Sequence, residues 1–167
     1  DVNGDGFGDL VVGARQFDAG QTDEGRAFLY LGSSSGLLTS TAWTAESDQA
    51  GARFGQSVSA AGDVNGDGYG DVVAGTPNFD SAGSNEGAAF LYYGAAAGLA
   101  STAAWTAQGT QSNAYLGWSV SSAGDVDGDG YGDVVVGAYG YDDGEADEGA
   151  AFLYLGSSSG LSASAAW

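Results

Sequence analysis

The sequence predicts an all-β fold of about three β-propeller blades, each a four-stranded antiparallel sheet on a 62-residue repeat. Three observations predict it: strict internal repetition, short apolar runs of β-forming residues, and glycine-rich punctuation between them. The stretch Asp1–Asp9 (DVNGDGFGD) returns as Asp63–Asp71 and as Asp125–Asp133, starting at positions 1, 63 and 125 and so 62 residues apart each time. Glu24, Glu86 and Glu148 keep that register, as do Trp43, Trp105 and Trp167, and Asp18, Asp80 and Asp142. No insertion or deletion separates the copies.

Each copy reads as β in the same order. The acidic stretch runs into Leu10-Val11-Val12, Val72-Val73-Ala74 or Val134-Val135-Val136. After a polar loop comes a second run: Ala27–Leu31, Ala89–Tyr93 or Ala151–Leu155. A small-residue turn such as Gly32–Gly36 precedes a strand around Trp43, Trp105 or Trp167. Phe54–Ser59 and Leu116–Ser121 then lead into the next acidic stretch, making four strands per repeat. The central runs are apolar at consecutive positions, which marks strands buried on both faces. Such a sheet needs a like sheet on either side, and radial blades supply one. Recurrent glycine and β-branched or aromatic residues disfavour helix. Residues 1–53 are expected to form blade 1 without its first strand, 54–115 blade 2 and 116–167 blade 3 of one partial propeller domain. The missing surroundings are expected from further blades of a longer chain or from a homo-oligomer.

Composition narrows the partners. The chain has 22 acidic residues against 3 basic ones, no histidine and no cysteine, for a formal net charge of −19. That charge repels nucleic acid and anionic lipid, so neither is an expected partner. A hydrophobic content of 43% argues against disorder. Disulfides are excluded, and zinc has few ligands to use. No 18-residue apolar run is present, so no membrane insertion is expected.

The acidic stretch carries the chemistry. Oxygen-bearing side chains stand at its positions 1, 3, 5 and 9: Asp1, Asn3, Asp5 and Asp9; Asp63, Asn65, Asp67 and Asp71; Asp125, Asp127, Asp129 and Asp133. Calcium takes about six to eight oxygens at roughly 2.3–2.6 Å, and alternate residues of a tight loop turn toward one point. Position 7 is expected to offer its backbone carbonyl, which frees the side chains of Phe7, Tyr69 and Tyr131. Glycine at position 6 permits the sharp turn. Magnesium suits such a cage less well, because it keeps its waters. A helix-loop-helix calcium site needs a glutamate at position 12, where this chain has Val12, Ala74 and Val136. About three Ca2+ ions are expected, one per repeat. At two charges each they bring −19 to −13 and make metal binding part of folding.

Phe54-Gly55 ahead of the loop Asp63–Asp71, followed by Val72-Val73-Ala74-Gly75-Thr76-Pro77, resembles the FG-GAP repeat of integrin α-subunits and of many bacterial surface proteins. The third copy departs from it at Leu116-Gly117 and at Gly137-Ala138-Tyr139; the first copy ends Gly13-Ala14-Arg15 and carries no Phe-Gly. The resemblance implies a seven-bladed, extracellular propeller, secreted or on a cell surface, with calcium between strands one and two of some blades. It implies binding of proteins or glycans, and one fungal relative is a lectin.

A ligand is expected on the face opposite the calcium loops, where the 2–3 and 4–1 connections lie. Asp18, Glu24, Asp80, Glu86, Asp142 and Glu148 are the candidate ligand-binding residues there, beside Tyr115 and Tyr139, although the invariance of the glutamates across copies favours bonding to backbone. The Trp43, Trp105 and Trp167 set suits packing between blades. Every carboxylate cluster repeats, whereas catalytic sites are unique, and no histidine, lysine or cysteine is present to act as base or nucleophile. The expected function is a non-catalytic calcium-binding adhesion or recognition module, with a lectin or a self-assembling structural repeat as alternatives.

Overall fold

The computed structural model describes residues 1–18 and 20–167. Among them are ten strands and no helix: β1 (Leu10–Ala14), β2 (Arg26–Tyr30), β3 (Trp43–Glu46), β4 (Ser57–Gly62), β5 (Asp71–Thr76), β6 (Ala88–Tyr92), β7 (Trp105–Gln108), β8 (Leu116–Gly124), β9 (Asp133–Ala138) and β10 (Ala150–Tyr154). They form three antiparallel meanders, β1-β2-β3, β4-β5-β6-β7 and β8-β9-β10. Register repeats as well as sequence: Val12 faces Phe28, Ala74 faces Phe90 and Val136 faces Phe152. These are propeller blades, about three of them.

The strand expected around Trp167 does not form. Ala166 N–H donates to Leu153 O at 2.7 Å, and Leu153 N–H to Trp167 O at 2.8 Å. That reproduces the first pair of the β2–β3 ladder, Leu29 with Trp43. No further rung of that ladder forms among the described residues.

Burial follows from how many neighbours each sheet has. All six residues of β5 are buried, because β4 and β6 flank it and a sheet covers each face. Its counterpart β1 leaves Leu10 45% and Val12 39% exposed. One core joins the first two sheets through Leu29, Trp43, Phe54, Ala74 and Tyr92; the other joins the last two through Leu91, Leu116, Val136 and Tyr154. Each such Leu, Val or Phe contributes about 1.5–3 kcal/mol by leaving water.

Backbones of neighbouring sheets meet directly at the Phe-Gly step. Phe54 N–H donates to Glu24 O at 2.8 Å and Leu116 N–H to Glu86 O at 3.0 Å. A Cβ on Gly13 would lie 2.0 Å from Gly55 O, and one on Gly75 would lie 2.0 Å from Gly117 O. No other residue fits there. Trp43 and Trp105 tie the sheets farther out, donating Nε1–H to Ala100 O (2.8 Å) and Ser162 O (2.9 Å). Both indoles therefore pack between blades.

Candidate metal centre

The three acidic loops join β4 to β5, β8 to β9 and, at the chain start, lead into β1. In the middle loop Asp63 Oδ1 accepts from Gly66 and Asp67 N–H at 2.7 and 3.1 Å, and Oδ2 from Gly68 N–H at 2.8 Å. Asn65 Oδ1 accepts from Asp67 N–H at 3.1 Å, and Asp67 Oδ1 from Tyr69 N–H at 3.0 Å. Each short side chain bonds backbone just ahead of it, a turn that aspartate and asparagine favour. Asp1, Asn3 and Asp5 repeat the pattern, as do Asp125, Asp127 and Asp129. Gly6, Gly68 and Gly130 hold φ between +87° and +95°, as the turn at position 6 requires.

Position 9 is different. Asp71 and Asp133 are fully buried. Asp71 Oδ2 accepts from Val64 N–H and Oδ1 from Gly94 N–H, both at 2.9 Å. Asp9 and Asp133 bond Val2 with Gly32, and Val126 with Gly156, in the same way. This carboxylate staples the acidic loop to the turn after the third strand of its blade. Local spacing hides that partner, which lies 23 residues on, although Gly32, Gly94 and Gly156 recur in register.

The third loop gathers carboxylate oxygens of Asp125, Asp127 and Asp133 within 4.8 Å of one another. Its departure is Asp127, where the other copies have asparagine. Asn3 and Asn65 each donate Nδ2–H to the carboxylate at position 5; Asp127 substitutes another negative group. Its carboxyl is pushed up, first by desolvation and then by the Asp129 charge. Asp71 is pushed up to about 6, chiefly by burial; the Val64 and Gly94 N–H groups oppose that, and the charges of Asp67 and Asp63 add to it. Clustered, partly desolvated carboxylates favour a proton or a cation. The donor set is all oxygen and each carboxylate is oriented by an N–H, so these residues fit a hard divalent ion.

The side chains at position 7 have a role the sequence reading left open. A Cβ on Gly4 would come within 2.9 Å of the Tyr69 ring, and one on Gly66 within 2.6 Å of the Tyr131 ring. Each tyrosine rests on the glycine of the preceding loop. Gly70 N–H donates to Asp1 O at 2.9 Å, and Gly132 N–H to Asp63 O at 2.8 Å, so consecutive loops are linked.

At the other end of the blades, the candidate ligand residues face their own loops. Asp18, Asp80 and Asp142 accept from the N–H of Asp23, Asn85 and Asp147 at 2.6–2.7 Å. Glu24 accepts from Gln21 N–H at 3.3 Å, and Glu148 from Asp143 N–H at 3.0 Å. Glu86 accepts from Ala82 N–H at 2.8 Å and from Ser81. The Gly83 N–H, the Ser81 hydroxyl and the Ala82 N–H lower its carboxyl to about 2. Carboxylates of Glu24, Glu46 and Asp48 also lie within 4.8 Å of one another, with Arg26 paired to Glu46. Gln49 and Gln111 clasp the backbone of Asp80 and Asp142 on the next blade.

One cluster at this end, between the second and third blades, has no counterpart between the first and second. Tyr115 and Tyr139 stack with centroids 4.9 Å apart, and Trp118 meets Tyr139 edge-on at 4.5 Å. Tyr139 is 49% and Trp118 37% exposed. One period earlier these positions are Arg53, Gln56 and Pro77, and that divergence was the available signal.

The FG-GAP repeat family matches residues 1–30, 54–92 and 116–154, more than half of the chain. The chain belongs to the FG-GAP repeat family. It is 36% identical to integrin alpha-4 of Xenopus laevis over 143 residues, covering 83% of this chain and 14% of that protein. Integrin alpha-8 of Mus musculus is 35% identical over 150 residues, covering 84% of this chain and 14% of that protein. Integrin alpha-IIb of Homo sapiens is 34% identical over 154 residues, with the same coverage of each. The chain thus spans about one seventh of these relatives. Within the FG-GAP pattern, the Phe-Gly step is the inter-blade contact of Phe54-Gly55, and the acidic loop is the stapled turn described above.

Proposed function

We propose that this chain is a calcium-binding, non-catalytic part of an extracellular adhesion or recognition module. The observation that carries this reading is the convergence of Asp125, Asp127 and Asp133 oxygens within 4.8 Å, in a loop whose hydrogen-bond frame recurs in all three copies. Asp1, Asn3, Asp5 and Asp9, with Asp63, Asn65, Asp67 and Asp71, hold the first two ions; Asp125, Asp127, Asp129 and Asp133 hold the third. The carbonyls of Phe7, Tyr69 and Tyr131 complete the sets. Calcium supplies positive charge that offsets the carboxylate repulsion and locks each turn between two strands. The integrin alpha relatives support a cell-surface or secreted setting and a protein ligand.

Blades over 1–53, 54–115 and 116–167 present the opposite face to that ligand. Asp18, Asp80 and Asp142, with Glu24, Glu86 and Glu148, shape its loops. The exposed Trp118 and Tyr139, with the half-buried Tyr115 stacked on Tyr139, support a second reading, a glycan partner. Binding on a glycan array that Tyr139→Ser abolishes would carry that reading. Calorimetric titration of the metal-free chain with calcium tests the first: about three ions bound per chain is the expected result. No heat, with unchanged melting in excess calcium, overturns it.

A further inference from the structure

The two inter-blade cores differ at one position of the repeat. At the first, the Phe54 ring is fully buried, 5.7 Å from the Phe90 ring and 6.4 Å from that of Tyr92. At the second, the same position is Leu116, facing Phe152 and Tyr154, the counterparts of Phe90 and Tyr92. Leucine lacks the ring, and a cavity of about 220 Å³ lies against it. Leu116, Phe152, Tyr154 and Tyr141 line its apolar part, with Gln108 and Thr110 at its polar side. The volume is enough for one aromatic ring, and the pocket opens to solvent on one side with a lining that mixes polar and apolar surface.

The lining carries no charge, in a chain of net charge −19. At the first core, the positions of Gln108 and Thr110 are Glu46 and Asp48. The second interface therefore lacks both the filling ring and the flanking carboxylates. An ion has no charged partner in such a lining, whereas a neutral ring with a polar group finds both apolar side chains and hydrogen-bonding ones. The Gln108 amide and the Thr110 hydroxyl are exposed and able to exchange hydrogen bonds with a hydroxyl.

We propose that this cavity is a binding site for a small neutral aromatic molecule bearing one hydroxyl, its ring taking the place that the Phe54 ring holds one interface earlier. The site stands apart from the acidic loops, at the opposite end of β8 and β9, so it does not depend on metal. Phenol is the probe, titrated into the full chain and followed by NMR. The expected result is saturable shifts confined to Tyr141, Phe152, Tyr154 and their neighbours, lost at least about tenfold in Leu116→Phe, whose new ring fills the space. Phe54→Leu is expected to open a second site. Absence of saturable binding at millimolar phenol, or binding that Leu116→Phe leaves unchanged, overturns the proposal; either result stands whether or not Phe54→Leu folds.

Discussion

The two ends of these blades keep the repeat to different degrees. At the acidic-loop end the backbone donors meet the same carboxylate acceptors three times, the one departure being Asp127 in place of an asparagine donor, down to the carboxylate that bonds Val64 and Gly94, or Val126 and Gly156. At the other end the framework bonds recur, but the side chains they display change: Arg53 becomes Tyr115, Gln56 becomes Trp118 and Pro77 becomes Tyr139. An end that must close a charged turn tolerates little change. An end that only needs its loops tied down leaves its remaining positions open to recognition.

Calcium removal is the largest expected break in that comparison. At a hundredfold excess over Kd each site adds about 2.7 kcal/mol, so three loops contribute about 8 kcal/mol. Chelation should then lower the melting temperature by roughly 15–30 °C for a chain this size. Differential scanning calorimetry with calcium and with EDTA measures it.

Within the acidic loop, Asp71→Ala should exceed Asp67→Ala. The first leaves the Val64 and Gly94 N–H groups without partners and costs about 2–6 kcal/mol with or without metal. Asp67→Ala should lower stability in calcium and change little in EDTA. Equal losses for Asp67→Ala in both buffers would contradict its role toward the ion.

At the opposite end the expected effect is smaller and set by protons. Glu86 is held at about 2 against an ordinary value of 4.5. The unfolded chain therefore takes up its proton first, and the stabilisation is complete above pH 4.5 and lost as pH falls toward 2. In calcium-free acid melts, the gap between wild type and Glu86→Gln should close over that window. A gap that stays constant from pH 5 to pH 2 would contradict the hydrogen bonds assigned to this carboxylate.

Much of the scaffold was legible because it repeats. The period, the β runs and the acidic loops need only local pattern. What pattern did not reveal depends on contacts between distant positions. Asp71 reads as one ligand among four until Gly94 is seen bonded to it. Tyr69 reads as free until its ring lies on Gly4. Trp118 and Tyr139 stand 21 positions apart and become a pair only because β8 and β9 are antiparallel neighbours. Trp167 misled for a different reason: the residue type suits a strand, but only the one pairing with Leu153 forms.

The linked acidic loops also have a direction. Every link runs the same way, with a carbonyl and a glycine surface given by the earlier loop and an amide and an aromatic ring by the later one. Each link therefore joins unlike surfaces, as the Tyr69 ring on Gly4 and the Tyr131 ring on Gly66 show. A twofold axis would set like against like and cannot reproduce this contact. Only translation with rotation, head to tail, presents ring to glycine again.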